Sequence, residues 1–135
     1  MEIKKILVVD DEKNIRRLVE ITLQRAGYTT DSASDGIECL EKVATSKPDL
    51  IVLDWMMPKM SGIKVLQNLK SNTDTASIPV IMLTAKAQDL DVLKGWQAGV
   101  DCFLVKPYNP MELLQFVKRI AEADDDFEEE VRFEI

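Results

Sequence analysis

The chain has 135 residues, with 17 Lys and Arg against 24 Asp and Glu, 46% hydrophobic residues, 2 Cys and no His. That size suits one domain around one buried core, and no apolar run approaches the ~20 residues of a membrane-spanning helix. The lack of His removes the commonest zinc ligand and the commonest general base, which excludes zinc-hydrolase and Ser-His-Asp chemistry, and Cys39 and Cys102 have neither the number nor the spacing of a disulfide or metal framework.

The net charge of −7 belongs to the C-terminal tail. Residues 1–121 hold 16 acids and 16 bases, while 122–135 hold 8 acids against Arg132 alone. The run Asp124, Asp125, Asp126, Glu128, Glu129, Glu130 repels nucleic acid and anionic membranes, so neither is an expected ligand. With only Phe127, Val131 and Phe133 as larger apolar residues there, the expectation is a folded domain over 1–123 and a disordered acidic tail over 124–135. The first apolar run, Ile6 to Val9, is ended by Asp10, Asp11 and Glu12, which does not make a secretory signal, and a cytoplasmic location is expected.

In chain order, the pattern predicts a strand over Lys4–Val9 and a helix over Glu12–Ala26, with Ile15, Leu18, Val19, Thr22 and Leu23 on one stripe and Gly27 as its stop. A strand over Thr29–Ala33 follows. The next helix, Gly36–Thr45, is expected to turn Ile37, Leu40 and Ala44 inward and leave Cys39 exposed, and Pro48 prevents its continuation. A strand over Leu50–Leu53 leads to a helix capped by Ser61 and burying Gly62, Val65, Leu66 and Leu69. A strand over Val80–Leu83, a helix over 88–98 ending at Gly99, and a strand over Cys102–Val105 come next, with Cys102 as a small packing residue. The last helix starts at Pro110 and buries Leu113, Leu114, Val117, Ile120 and Ala121.

Alternating apolar strands and amphipathic helices define an α/β class with a parallel sheet covered on both faces. The expected architecture is the flavodoxin-like (βα)5 three-layer sandwich with strand order 2-1-3-4-5, in which ligands sit at the carboxyl ends of the strands. Strand one exits into Asp10 and Asp11, strand three into Asp54, strand four into Thr84 and strand five into Lys106-Pro107. These four strands are contiguous in that order, so their polar ends share one crevice. Three carboxylates together repel one another unless a cation neutralises them. Mg²⁺ fits, being a hard ion that takes one or two carboxylates, waters and a phosphate oxygen. Lys106 and Thr84 supply donors for that phosphate, and Asp54, at the end of the central strand, is the candidate nucleophile for an aspartyl phosphate.

Val8-Val9-Asp10-Asp11-Glu12, Leu53-Asp54 followed by Met57-Pro58 and Gly62, Leu83-Thr84-Ala85 and Lys106-Pro107 occur in this order and at this spacing in the chain. With them, the sequence over residues 3–121 resembles the receiver domain of two-component response regulators. The resemblance implies Asp54 as phosphoacceptor, Asp11, Asp54 and the Met56 carbonyl as direct Mg²⁺ ligands, and Asp10 as a ligand through water. It further implies Thr84 (with Ala85) and Lys106 at the phosphate, a cis peptide between Lys106 and Pro107, and Phe103 as the aromatic switch that turns inward when Thr84 moves toward the phosphate. Its implied partners are a histidine kinase or phosphotransfer protein, docking at the first helix and the 107–109 loop, and a downstream protein effector.

Val92, Cys102 and Phe116 stand where many transcription-factor receivers carry the charged residues of their dimer, so a monomer or weak dimer is expected. Trp96, Phe103 and Phe116 are expected to make that surface apolar. No DNA-binding segment follows within the chain, and a stand-alone receiver is expected, the alternative being a fragment of a longer DNA-binding regulator. An aspartyl-phosphate phosphohydrolase is the enzymatic rival, but such enzymes need a second acid where this chain has Met56. A flavodoxin-like cofactor binder is disfavoured because Asp10, Asp11 and Glu12 repel a cofactor phosphate, and a pseudo-receiver would share the fold without the chemistry.

Overall fold

The computed structural model describes residues 2–84, 99–106 and 108–122. Its strands are β1 (Lys5–Val9), β2 (Thr29–Ala33), β3 (Leu50–Asp54), β4 (Val80–Thr84) and β5 (Cys102–Val105), and its helices α1 (Lys13–Arg25), α2 (Gly36–Thr45), α3 (Gly62–Ser71) and α4 (Pro110–Glu122). The strands form one parallel sheet of order β2-β1-β3-β4-β5. The helix expected over 88–98, the Lys106–Pro107 peptide and the tail lie outside the described residues.

Successive side chains of a strand point to opposite faces, which accounts for the unbroken apolar runs. On one face Ile6, Val8, Leu50, Val52, Ile81, Leu83, Cys102 and Leu104 pack under Val19 and Leu23 of α1 and Leu113, Leu114, Val117 and Ile120 of α4. On the other, Leu7, Val9, Ile51, Leu53, Val80, Met82 and Phe103 pack under Cys39 and Val43 of α2 and Val65, Leu66 and Leu69 of α3. The edge strand β2, Thr-Thr-Asp-Ser-Ala, is mostly half-exposed.

Helix termini follow their side chains. Asp35 caps α2 by accepting from the Glu38 N–H at 2.9 Å, and Ser61 caps α3 by accepting from the Lys64 N–H at 3.4 Å. In α1 the stripe is narrower than expected: Val19 and Leu23 are buried and Ile15 half-buried, but Leu18 is 52% exposed. Leu18 lies ~100° round the helix from Val19, on the flank of the surface facing the sheet.

The inward face of α2 also differs. Cys39 is fully buried with Gly36 and Val43, while Ile37 is 44% exposed and Ala44 is exposed. A Cβ on Gly36 would stand 2.7 Å from Val65 Cγ2 and 2.8 Å from the Met60 carbonyl oxygen. Only the face without a side chain can approach α3 so closely, and this rotates α2 until positions 36, 39 and 43 face inward.

Gly62 makes the second close approach, where a Cβ would lie 2.3 Å from the Asp54 carbonyl oxygen and 2.9 Å from Trp55 Cα. Gly62→Ala is therefore expected to cost roughly 1–3 kcal/mol, as overpacking typically does, measured by urea denaturation against the parent chain.

Candidate functional site

The parallel register brings the polar strand ends together. Val9 pairs with Leu53 between β1 and β3, so Asp10 and Asp54 leave neighbouring strands at the same level. Asp54 pairs with Leu83, and Thr84 with Val105, which sets Thr84 and Lys106 at the next step across the sheet. The chain is further tied here by Trp55 N–H donating to Leu83 O at 2.8 Å and Lys106 N–H donating to Thr84 O at 2.7 Å.

Asp10, Asp54 and Thr84 are buried and polar, while Asp11 is exposed. One carboxylate oxygen from each of Asp10, Asp11 and Asp54 lies within 4.8 Å of the other two. The Lys106 amine stands 3.2 Å from Asp54 Oδ1 and 3.5 Å from Asp10 Oδ2. The Met56 N–H donates to the Asp54 carboxylate, which brings the backbone of residue 56 to the pocket, and Met56 is 60% exposed.

Burial pushes the Asp54 carboxyl up to about 6, the negative charge of Asp10 adds to the rise, and Lys106 opposes it. For Lys106, burial works against the charged form, but Asp54 and Asp10 outweigh it and hold the amine above its ordinary value. At neutral pH the pocket is thus an ionised aspartate paired with a lysinium.

These residues suit a hard divalent cation. Octahedral oxygen ligands at ~2.1 Å from Mg²⁺ stand ~3.0 to ~4.2 Å apart, so carboxylates already within 4.8 Å need only a slight closure. The donor set is all oxygen, and Asp11 is exposed at its rim.

Phe103 is 1% exposed, with its ring 6.2 Å from that of Trp55. It does not contribute to an apolar surface as expected; in β5 its side chain points to the α2–α3 face of the sheet. Cys102 is likewise fully buried and is no surface position. Phe116 is half-buried against the core, with the Arg119 guanidinium 6.0 Å from its ring centre. Ala85, Val92, Trp96 and Pro107 lie outside the described residues.

Two neighbours of the pocket are not apparent from the motifs. Arg16 Nη1 donates to the Asp10 carbonyl at 2.8 Å, while Asp10 Oδ1 accepts from the Glu12 N–H at 2.9 Å, so the first turn of α1 fixes the Asp10 loop. Tyr108 has a buried hydroxyl without a hydrogen-bond partner among the described residues, pushed up by burial and by the charges of Asp10 and Asp54. Tyr108 lies beyond the end of β5, where strand periodicity gives no signal for it, and only the fold brings it to the pocket.

Comparison with known proteins gives a consistent result. Residues 6–118 match the family model described as response regulator receiver domain. The chain is 47% identical over 122 residues to the alkaline phosphatase synthesis transcriptional regulatory protein PhoP of Bacillus subtilis, covering 90% of this chain and 50% of that one. It is 38% identical over 117 residues to the phosphate regulon transcriptional regulatory protein PhoB of Escherichia coli, covering 87% and 51%. The chain spans about half the length of these curated relatives. Among solved structures, the chemotaxis protein CheY4 of Vibrio cholerae superposes with a TM-score of 0.83 at 36% identity, covering 87% of this chain and 98% of that one.

The pH response of the pocket has a definite sign. With the folded pKa of Asp54 at about 6 and an unfolded value near ~3.9, the native state holds a proton that the unfolded state has lost. Metal-free stability therefore falls as pH rises from about 4 to about 6, by up to roughly 3 kcal/mol from this group. Asp54→Asn is expected to lack this component. Urea denaturation of both chains with EDTA at pH 5 and pH 7.5 measures it, with the Asp54→Asn variant gaining relative stability at the higher pH and added Mg²⁺ narrowing the gap.

Proposed function

Because the chain belongs to the response regulator receiver family, we propose that it is a phosphoacceptor switch of a two-component or phosphorelay system, with Asp54 as the modified residue. The observation that carries this reading is the convergence of Asp10, Asp11, Asp54 and Lys106 at the carboxyl ends of adjacent strands.

In this reading Asp11, Asp54 and the Met56 carbonyl hold Mg²⁺, with Asp10 acting through water. The bound ion offsets negative charge on the phosphoryl oxygens. An ionised Asp54 oxygen attacks phosphorus; the O–P bond forms as the P–N bond of a phosphohistidine breaks, and the imidazole leaves with the electron pair. A carboxylate already carries its lone pair at neutral pH, so the transfer needs no general base, consistent with a chain without His. Lys106 follows the charge from the free carboxylate to the phosphoryl group, and the Thr84 hydroxyl donates to one of its oxygens. Catalysis is then positional and electrostatic.

The donor docks on α1, where Leu18 and Ile21 are exposed beside Lys13 and Arg17. Phosphorylation shifts the balance between two arrangements of Thr84 and Phe103 and so changes affinity for a downstream protein. The domain does this as a signalling protein, catalysing only its own phosphorylation and slow dephosphorylation, and it works in the cytoplasm; among the described residues no helix is long and apolar enough to cross a membrane. Met56 in place of a second acid disfavours a phosphohydrolase.

A second reading is favoured by the length of the relatives. PhoP and PhoB are transcriptional regulatory proteins about twice as long as the matched region, which supports this chain as the receiver part of a DNA-binding regulator, with DNA contact residing in the other half. The reading frame downstream of residue 135 decides between this and a stand-alone receiver.

Incubation with Mg²⁺ and a small phosphodonor such as acetyl phosphate should give one alkali-labile acyl phosphate per chain, absent with EDTA. Asp54→Ala should reduce it to background while leaving the fold intact. Undiminished labelling of that variant would refute the assignment.

A further inference from the structure

The segment 55–61 between β3 and α3 carries Met56, and two close approaches fasten it. Gly62 lies against the Asp54 carbonyl and its N–H donates to Trp55 O at 2.9 Å, which draws the two ends of the segment together. Near the end that leads into α3, Gly36 at the start of α2 lies against Met60, where a Cβ would stand 2.8 Å from the Met60 carbonyl oxygen and 2.9 Å from Met60 Cβ. Beside this second contact, Lys59 Nζ stands 3.4 Å from Asp35 Oδ2, with side chains 63% and 12% exposed.

Both partners are unusual for a surface pair. Asp35 is nearly buried and already fixed, since its other oxygen caps α2 through the Glu38 N–H. Lys59 has φ of +68°, the left-handed region, and is the one non-glycine there among the described residues. Glycine or asparagine would occupy that conformation with less strain, whereas lysine adds a cation that reaches Asp35. Left-handed backbone in a non-glycine residue persists where its surroundings over-determine it.

We propose that Asp35 and Lys59 are a positioning pair for the cation site, pinning the 55–61 segment to the start of α2 so that the backbone of residue 56 stays at the acidic pocket. The pair touches neither ion nor phosphate and acts through the loop. This rests on the Mg²⁺ reading given above.

Charge alone makes the opposite prediction for one of the two residues. Through-space electrostatics says that Lys59→Met, which removes a positive charge near three carboxylates, tightens Mg²⁺ binding, and that Asp35→Asn weakens it. Positioning says that both variants weaken it. Asn also caps helices, so Asp35→Asn retains the start of α2.

The test is Mg²⁺ titration of the full chain by calorimetry, supported by amide hydrogen exchange over residues 56–61. Each single variant is expected to bind Mg²⁺ about three- to tenfold more weakly, below the usual effect of a group that hydrogen-bonds a ligand directly. The double variant should be no weaker than the worse single one, exchange over 56–61 should quicken, and Lys59→Arg should bind as the parent does. Unchanged or tighter binding by Lys59→Met, with the parent chain binding normally, overturns the positioning pair alone. A parent chain that binds no Mg²⁺ overturns the metal reading and the pair's role with it.

Discussion

Asp10 and Asp54 leave two hydrogen-bonded strands side by side, and both side chains are buried. With Asp11 they gather three negative charges within 4.8 Å. Each such pair repels by about 3 kcal/mol at an effective dielectric of ~20. Lys106, arriving from two strands away, stands between Asp10 and Asp54 and offsets part of this. The Asp54 carboxyl is still raised, first by burial and then by the charge of Asp10, with Lys106 working against both. A pocket left short of positive charge is one that gains from a divalent ion, and one whose lysine can be drawn off by a new anion on Asp54. The electrostatic tension in the resting fold and the proposed switching chemistry have the same origin.

The surroundings of the pocket are closely packed and tied by hydrogen bonds. The strands beneath it are buried on both faces, and Gly62 and Gly36 allow the loop after Asp54 to be clamped between β3 and α2 with no side chain intervening. Arg16 and the Glu12 N–H hold the Asp10 side of the crevice in a comparable way. Thr84 and Phe103 lie on the far side, at β4 and β5, and that is where the family resemblance puts the rearrangement.

Much of this was legible in the residues. Apolar runs ended by acids, Thr or Lys mark where strands stop, and the alternation with helices implies the parallel order, so the pocket's members could be named together. Angular details were not legible. In α2 the apolar positions 37, 39, 40, 43 and 44 fit two faces, and the tight Gly36 contact with Met60 and Val65, distant in sequence, selects the one that buries Cys39. Leu18 satisfies the helical period and is still exposed. Phe103 was expected at a surface, but its strand position turns it under α2 and α3.

The chain's own pattern therefore determined which segments become strands and helices, their order in the sheet and the polar residues at its carboxyl edge. Segment types follow from local periodicity and from the requirement that both faces of a parallel sheet be covered, and the strand order from the flavodoxin-like architecture that such an alternation suggests. Tertiary structure alone decided how far each helix is rotated, which loop residues meet across the sheet, as Lys59 meets Asp35, and how strongly Asp54 holds its proton. Periodicity states that a helix has an apolar face but not what that face touches, and a pKa depends on charges and burial contributed by residues far away along the chain.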